Sequence, residues 1–397
     1  MDSGQPGLRA RLGKLASAVI PDLDDRIYNR DRDRALPSSR APKGGYPAPA
    51  FEERQAHVVV VPIEGPQFPD WRPGARNFYY EAWQSARERW GPENVSVLDV
   101  APGEPADSWH RRLRDLLHDS RATHFLTHME HDPGSPDSWT WDEAWNAIAP
   151  DWDGVFLGNM FDSAFWLVTM KARRLARMSP HYLAVDICTP MTGVLIRNRC
   201  EVGPVTMPVS SESLALVHEK IDGLTPHHDV SFIGALYPYR VALIEKLRAE
   251  GVDVVVNPHR PDETRDFDSS KANQPEWLDY MAGLASSKMT INFSRSSAGD
   301  FEQLKTRVIE ATLAGTFLLT DDKTSTRRFF TPGVEFDTLA DVEELPRVVT
   351  KWLEHPELLE SGRLAAQERA QGIALFDFWD GITQGLATRG LPELPPR

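Results

Sequence analysis

The chain has 397 residues, enough for two domains of ordinary size, each with its own core. Its formal net charge of −14 excludes a general nucleic-acid binder, which needs a basic surface to displace counterions from phosphates. The two cysteines, Cys188 and Cys200, provide neither a disulfide framework nor a CxxC metal pattern, so a reducing, cytoplasmic setting is expected.

Residues 1–50 have little strand pattern and are rich in Arg, Asp, Pro and Gly, which marks an N-terminal arm. Within it Leu8, Leu12, Leu15, Ala16 and Ile20 define the apolar side of a short amphipathic helix, with Arg9, Arg11 and Lys14 opposite. Such a helix suits either a peripheral membrane contact or packing on a neighbouring domain or subunit. No run of about eighteen apolar residues occurs, and the first residues lack the apolar core and cleavage site of a secretory leader, so neither a transmembrane segment nor a leader is expected.

From His57 onward strand and helix patterns alternate: HVVVVPIEG, FYYEAWQSARERW, NVSVLDV, SWHRRLRDLLHDS, THFLTHME, and on to HYLAVDIC. Short apolar runs of this kind are strands buried on both faces, as in a parallel sheet covered by helices. The pattern breaks around residues 189–228 and restarts at Asp229 with DVSFIGALY, YRVALIEKLRAEG, VDVVVNP, EWLDYMAGLASSK, MTINFS and TFLLTDD. The expected architecture is α/β, with two tandem Rossmann-like doubly wound domains over 51–210 and 211–375. A C-terminal helix and tail, 376–397, is a candidate to cross back to the first domain. Two such domains place a ligand crevice at the carboxyl ends of their sheets, between them.

The stretch Asn292 to Asp322 carries the densest chemistry, reading as strand, polar loop, helix, strand. Asp300 as N-cap and Gln303 as its capping-box partner predict a helix from about Phe301, ended at Gly315. On that helix Leu304, Val308 and Ala311 form one stripe, with Glu302, Thr306 and Glu310 roughly opposite. Ile309 and Leu313 flank the acidic stripe, so this face is expected to be covered. Glu302 and Glu310 then stand about 12 Å apart along the axis, the span from ribose to sugar in a nucleotide-sugar. Lys305, Arg307 and the free N–H groups of the helix start could hold a diphosphate between them. The simpler alternative is that acidic residues suit a first turn and that Glu310 pairs with Arg307 or Thr306.

Elsewhere His124, His128 and His131 end a strand and enter a loop beside Glu130 and Asp132, which are candidate acceptor contacts. The histidines lack the helical HExxH arrangement of a metal site. Asp151-Trp152-Asp153 is formally D-x-D but precedes a strand and reads as a loop. Gly65, closing the first strand, is either a point of close backbone approach to an acceptor or a plain turn. No GxSxG, Walker A or strand-following GxGxxG pattern is present.

Taken together, DVSFIGALYPYR, QLKTRVIEATLAGTFLLTDD and FFTPGVEFDTLADVEELPRVVTKWLEHPE make roughly residues 229–370 resemble the group-1 (family-4-like) superfamily of GT-B glycosyltransferases. The likeness is to the bacterial branch related to spore-maturation glycosyltransferases. It implies a retaining transferase in which Glu302 and Glu310, at the Glu-x7-Glu spacing, contact the transferred sugar and the ribose respectively. It further implies that Arg240, following Gly234, meets the diphosphate with Lys305 or Arg307 assisting, and that Ser294 lies in the donor site; His128, from its place at a strand end entering a loop, is a candidate to touch the donor sugar's hydroxyls. The Gly-Phe-Gly usual after the first Glu is replaced by Gln303, Leu304 and Lys305. The expected reaction is metal-free, cofactor-free transfer of a hexose, mannose from GDP-mannose first, to a carbohydrate or glycoconjugate acceptor, as in polysaccharide biosynthesis. Two alternatives are a non-catalytic sugar- or nucleotide-binding protein on the same scaffold and an inverting transferase with Asp132 or His131 as base.

Overall fold

A computed structural model describes residues 56–129, 152, 154–161, 168, 172, 175, 181–187, 201–234, 236, 238–257, 276–294, 302–322, 324–339 and 342–394. The N-terminal arm, both cysteines, Glu130, His131, Asp132, Asp151, Asp153 and Asp300 lie outside these residues.

In chain order the first domain contains β1 (Val58–Val61), α1 (Phe78–Trp90), β2 (Val95–Val97), α2 (Ala106–Asp119), β3 (His124–His128), β4 (Val155–Met160), β5 (Tyr182–Asp186) and β6 (Glu201–Val202). Its strands form one six-stranded parallel sheet in the order β2-β1-β3-β4-β5-β6, with Val58 opposite Val95 and His124, and His128 opposite Asn159. Contiguous runs such as Val58–Val61 are buried throughout because both faces are covered. Trp109, Leu113 and Leu117 of α2 pack on the face carrying Val59, Phe125 and Phe156. Phe78, Tyr79, Ala82 and Ala86 of α1 pack on the other, against Val58, Val60 and Leu126.

The second domain follows with α3 (Ser211–Ile221), β7 (His228–Phe232), α4 (Pro238–Ala249), β8 (Val254–Val256), α5 (Trp277–Ala285), β9 (Ser287–Asn292), α6 (Arg307–Leu313), β10 (Phe317–Thr320), β11 (Phe336–Thr338), α7 (Leu345–Leu353) and α8 (Pro356–Arg389). Its five parallel strands run β11-β10-β9-β7-β8. Leu243, Ile244 and Leu247 of α4 and Val348, Val349 and Trp352 of α7 cover one face, while α5 and α6 cover the other. Both domains are thus Rossmann-like, as the alternating pattern predicts.

The sequence reading separates a final helix near Phe376 from the segment before it, but the structure has a single 34-residue helix, α8, about 50 Å long. Ala366, Ala370 and Ala374 belong to the second domain's core, whereas Phe378, Trp379, Ile382 and Leu386 complete the first domain's α1-side core. A Cβ at Gly381 would overlap Val205, so only glycine lets the helix lie this close to the interdomain linker. The linker is also tied to it by hydrogen bonds from Val209 N to Ala374 O (3.0 Å) and from Thr206 N to Asp377 Oδ2 (2.7 Å). Among the described residues no helix is long and apolar enough to cross a membrane.

Candidate functional site

At the carboxyl edge of the second sheet the chain leaves β7 through Gly234, whose φ of 141° is a conformation that side-chain-bearing residues avoid. Gly234 N donates to Asn257 Oδ1 (2.9 Å), at the end of β8. A Cβ at Gly234 would lie 3.2 Å from Arg307 Nη2, so the guanidinium of Arg307 rests on this turn, and its Nε is buried without a hydrogen-bond partner. Arg240 approaches from the start of α4. Its Nε donates to Tyr239 Oη (2.8 Å), and its guanidinium lies 5.2 Å from the Phe293 ring centre and 5.7 Å from that of Phe232. Arg307 is 5.9 Å from the same Phe232 ring. The structure therefore brings Arg307 to the β7–α4 segment that carries Gly234 and Arg240. Two guanidinium groups within 6 Å of the Phe232 ring, one of them against a half-buried glycine turn, are chemically suited to a doubly charged anion, since each can hold two phosphate oxygens.

The helix expected from Phe301 begins at Arg307 instead. Gln303 N, which the capping box would have used, donates to Ser294 O (2.9 Å), and Gln303 and Leu304 are buried, so residues 302–305 run beside the exit of β9 without helical turns. Glu302 and Glu310 consequently do not share a helix face, and the lengthwise spacing of about 12 Å drops out. Glu302 Oε2 accepts from Thr324 Oγ1 (3.4 Å), and Lys305 Nζ donates to Gln303 Oε1. Ser294 is buried, its N–H donating to Asp321 Oδ1 (2.5 Å), which pins the start of this loop.

Glu310 is 6% exposed, and the cover expected over it comes largely from other elements. Its Oε1 accepts from Arg76 Nε (2.9 Å) and Trp277 Nε1 (3.2 Å), and its Oε2 from Tyr280 Oη (3.1 Å). The partner is thus neither Arg307 nor Thr306. Thr306 Oγ1 instead accepts from Arg76 Nη2 (2.7 Å), and the Arg76 guanidinium lies 5.4 Å from the centre of the Tyr280 ring. Burial, followed by the Glu310 charge, pushes the Tyr280 phenol up to about 12, which keeps it a donor. Arg76 belongs to the first domain and has φ of 60°, a left-handed backbone that costs a non-glycine residue roughly 1–3 kcal/mol. The adjoining cavity, lined by Arg76, Glu81, Trp277, Lys305, Ile309 and Glu310 among others, encloses about 500 Å³ of space, open solvent included.

A second interdomain contact lies beside it. Glu81 of α1 accepts from Ser213 Oγ (2.5 Å) and Ser210 N (2.6 Å), at the start of α3. Burial pushes its carboxyl from an ordinary value near 4.5 up to about 7, outweighing these hydrogen bonds. A raised folded-state pKa stabilises fully below the unfolded value and loses that contribution as pH rises through the folded one. The Glu81 contribution is therefore complete below about pH 4.5 and gone above about pH 7, a difference on the order of 3 kcal/mol. Glu81→Gln should flatten this part of the stability profile, measured by urea denaturation from pH 4.5 to 8. An unchanged profile would contradict the assignment.

In the first domain Gly65 forms a turn, its carbonyl accepting from Phe68 N (2.9 Å), and a Cβ there would meet Asp99 Oδ1 at 2.9 Å. The close approach that requires glycine is thus made by Asp99. His128 is buried at the end of β3, its ring centre 5.3 Å from Phe161 and 6.1 Å from Tyr79, and it does not line the cavity at Glu310. His124 is a core residue, 2.9 Å from both Thr123 Oγ1 and Pro392 O, with burial lowering its pKa to about 4. Sequence reasoning missed Arg76, Asn257, Trp277 and Tyr280. Arg76 sits in an unremarkable RPGARN loop, and its partners lie more than 200 positions away.

The sequence comparison bears on this same edge. Residues 240–374 match the sequence family described as "Glycosyl transferase-like". The matched segment starts at Arg240 and takes in Ser294, Glu302, Lys305, Arg307 and Glu310, while Arg76 and the rest of the first domain lie outside it. No curated protein matches the chain significantly in sequence. Among solved structures, HepE of Anabaena in complex with UDP-glucose is 10% identical with a TM-score of 0.49, covering 84% of this chain and 99% of its own. Sucrose-phosphate synthase from Thermosynechococcus elongatus is also 10% identical, with a TM-score of 0.47 over 85% of this chain and 99% of its own. A glycosyltransferase from Rickettsia africae is 8% identical, with a TM-score of 0.45 over 84% of this chain and 99% of its own.

Proposed function

We infer that the protein is a glycosyltransferase that moves a hexose from a nucleotide diphosphate sugar to a carbohydrate or glycoconjugate acceptor. The observation that carries this reading is that Arg240 and Arg307 both lie within 6 Å of the Phe232 ring, Arg307 against Gly234, on the edge of a domain whose residues 240–374 match a glycosyl transferase-like family. Breaking the sugar–phosphate bond leaves charge on a nucleoside diphosphate, and preorganised cations that meet this developing charge lower the barrier. Arg240 and Arg307 serve that role, Glu310 takes the ribose hydroxyls, and Glu302 and His128 address the sugar. Retention and transfer of mannose from GDP-mannose complete the reading, on the resemblance of the Glu-x7-Glu segment to retaining enzymes.

The test is release of nucleoside diphosphate from a panel of GDP-mannose, UDP-glucose and dTDP-glucose, with the anomeric configuration of the product followed by NMR. Wild-type protein should turn over one donor, GDP-mannose first, with retention, and Glu310→Ala should reduce that rate at least about tenfold. No release from any donor, with or without a glycan acceptor, would overturn the assignment.

A further inference from the structure

The carboxylate read above as the ribose ligand is not open to a ribose. Glu310 is 6% exposed and each of its oxygens already accepts a hydrogen bond, one from Arg76 and Trp277 and the other from Tyr280. A nucleoside reaches Glu310 only if one of these partners leaves. Trp277 and Tyr280 are 5% and 6% exposed and belong to the same packed cluster as α6 itself, whereas the Arg76 side chain is 35% exposed and comes from the other domain. Arg76 is also the strained partner. Its left-handed backbone, φ 60°, coincides with side-chain bonds to Glu310 and Thr306, both across the domain boundary. Releasing those bonds frees the backbone to relax and further solvates a side chain already 35% exposed.

We propose that Arg76 is an interdomain lock that competes with the nucleotide's ribose for Glu310, so that the protein without ligand is held closed and donor binding must displace the arginine. The proposal rests on the reading of Glu310 as the ribose ligand. It has a definite thermodynamic consequence: when only the unlocked form binds, the apparent dissociation constant equals the intrinsic one divided by the unlocked fraction. Removing Arg76 therefore tightens nucleotide binding, opposite to the effect of removing a residue that touches the ligand.

The experiment is calorimetric titration of GDP and UDP into wild type, Arg76→Ala, Arg76→Gly and the double variant Arg76→Ala/Glu310→Gln. Arg76→Gly also removes the backbone strain, and Arg76→Lys, which keeps the charge but cannot hold Glu310 and Thr306 together, serves as the conservative variant. The lock predicts a roughly tenfold tighter constant in Arg76→Ala and Arg76→Gly, equivalent to about 1.4 kcal/mol, a smaller gain in Arg76→Lys, and loss of the gain in the double variant. Binding that is unchanged or weaker in all three single variants, with wild type still binding a nucleotide, overturns the lock alone. Binding to none of the proteins overturns the ribose reading and the lock with it. Tighter binding that survives in the double variant also overturns it, because the gain would then not pass through Glu310.

Discussion

Arg307→Ala is expected to lower kcat/KM for the nucleotide-sugar about a hundredfold, the largest single-residue loss at the site. The guanidinium lies against the Gly234 turn, where on the proposed reading it would meet the donor's phosphates. Hydrogen bonds to charged groups contribute about 1.5–3 kcal/mol each, and about 2.7 kcal/mol corresponds to a hundredfold change in rate. Arg240→Ala should cost less, about tenfold, because Arg240 is partly committed to Tyr239 and stacks on aromatic rings at the rim. Arg307→Lys should recover little, since an ammonium cannot reproduce the fork. Near-native rates in both alanine variants would remove the diphosphate assignment, and with it the main support for the proposed chemistry.

Trp379→Ala should cost about 3–5 kcal/mol of stability, the usual range for deleting a fully buried large aromatic. Trp379 is 1% exposed and lies beyond the point where α8 leaves the second domain. Its ring centre is 5.0 Å from that of Trp90 and 4.9 Å from that of Phe378, and its Nε1 donates to Ser85 Oγ (3.1 Å). The substitution opens a cavity between α1 and α8 and leaves the buried Ser85 hydroxyl without one of its partners. The loss should appear in denaturant unfolding as a lower midpoint for the first domain. A change below about 1 kcal/mol would mean that α8 only rests on that domain and is not part of its core.

The strands were legible because each is a local property: Val58–Val61, Val254–Val256 and Phe317–Thr320 are short apolar runs, and runs of that length covered on both sides make a parallel sheet. Arg240, Arg307 and Gly234 could be nominated because each stands next to a strand end or helix start. The misreadings have a common cause. The Asp300–Gln303 pattern was locally sound, but Gln303 N is taken by Ser294 O, a tertiary hydrogen bond that no window of sequence contains. The simpler alternative for Glu310 sought its partner a few residues away, yet its counter-ion, Arg76, is a first-domain residue in a loop without periodicity. The last helix was read as starting near Phe376, yet Gly362, Gly381 and Gly385 let one continuous helix press against neighbouring chain.

The path of α8 also dictates an order of events during synthesis. The sheet from β1 to β6 leaves the ribosome early, but the apolar surface under α1 awaits Phe378, Trp379, Ile382, Leu386, Leu391 and Leu394. Until those residues emerge, the first-made half of the protein carries an uncapped greasy groove. Nascent chains stalled before residue 378 should therefore be clients for chaperones and prone to clump, even though every strand of that half has already been translated.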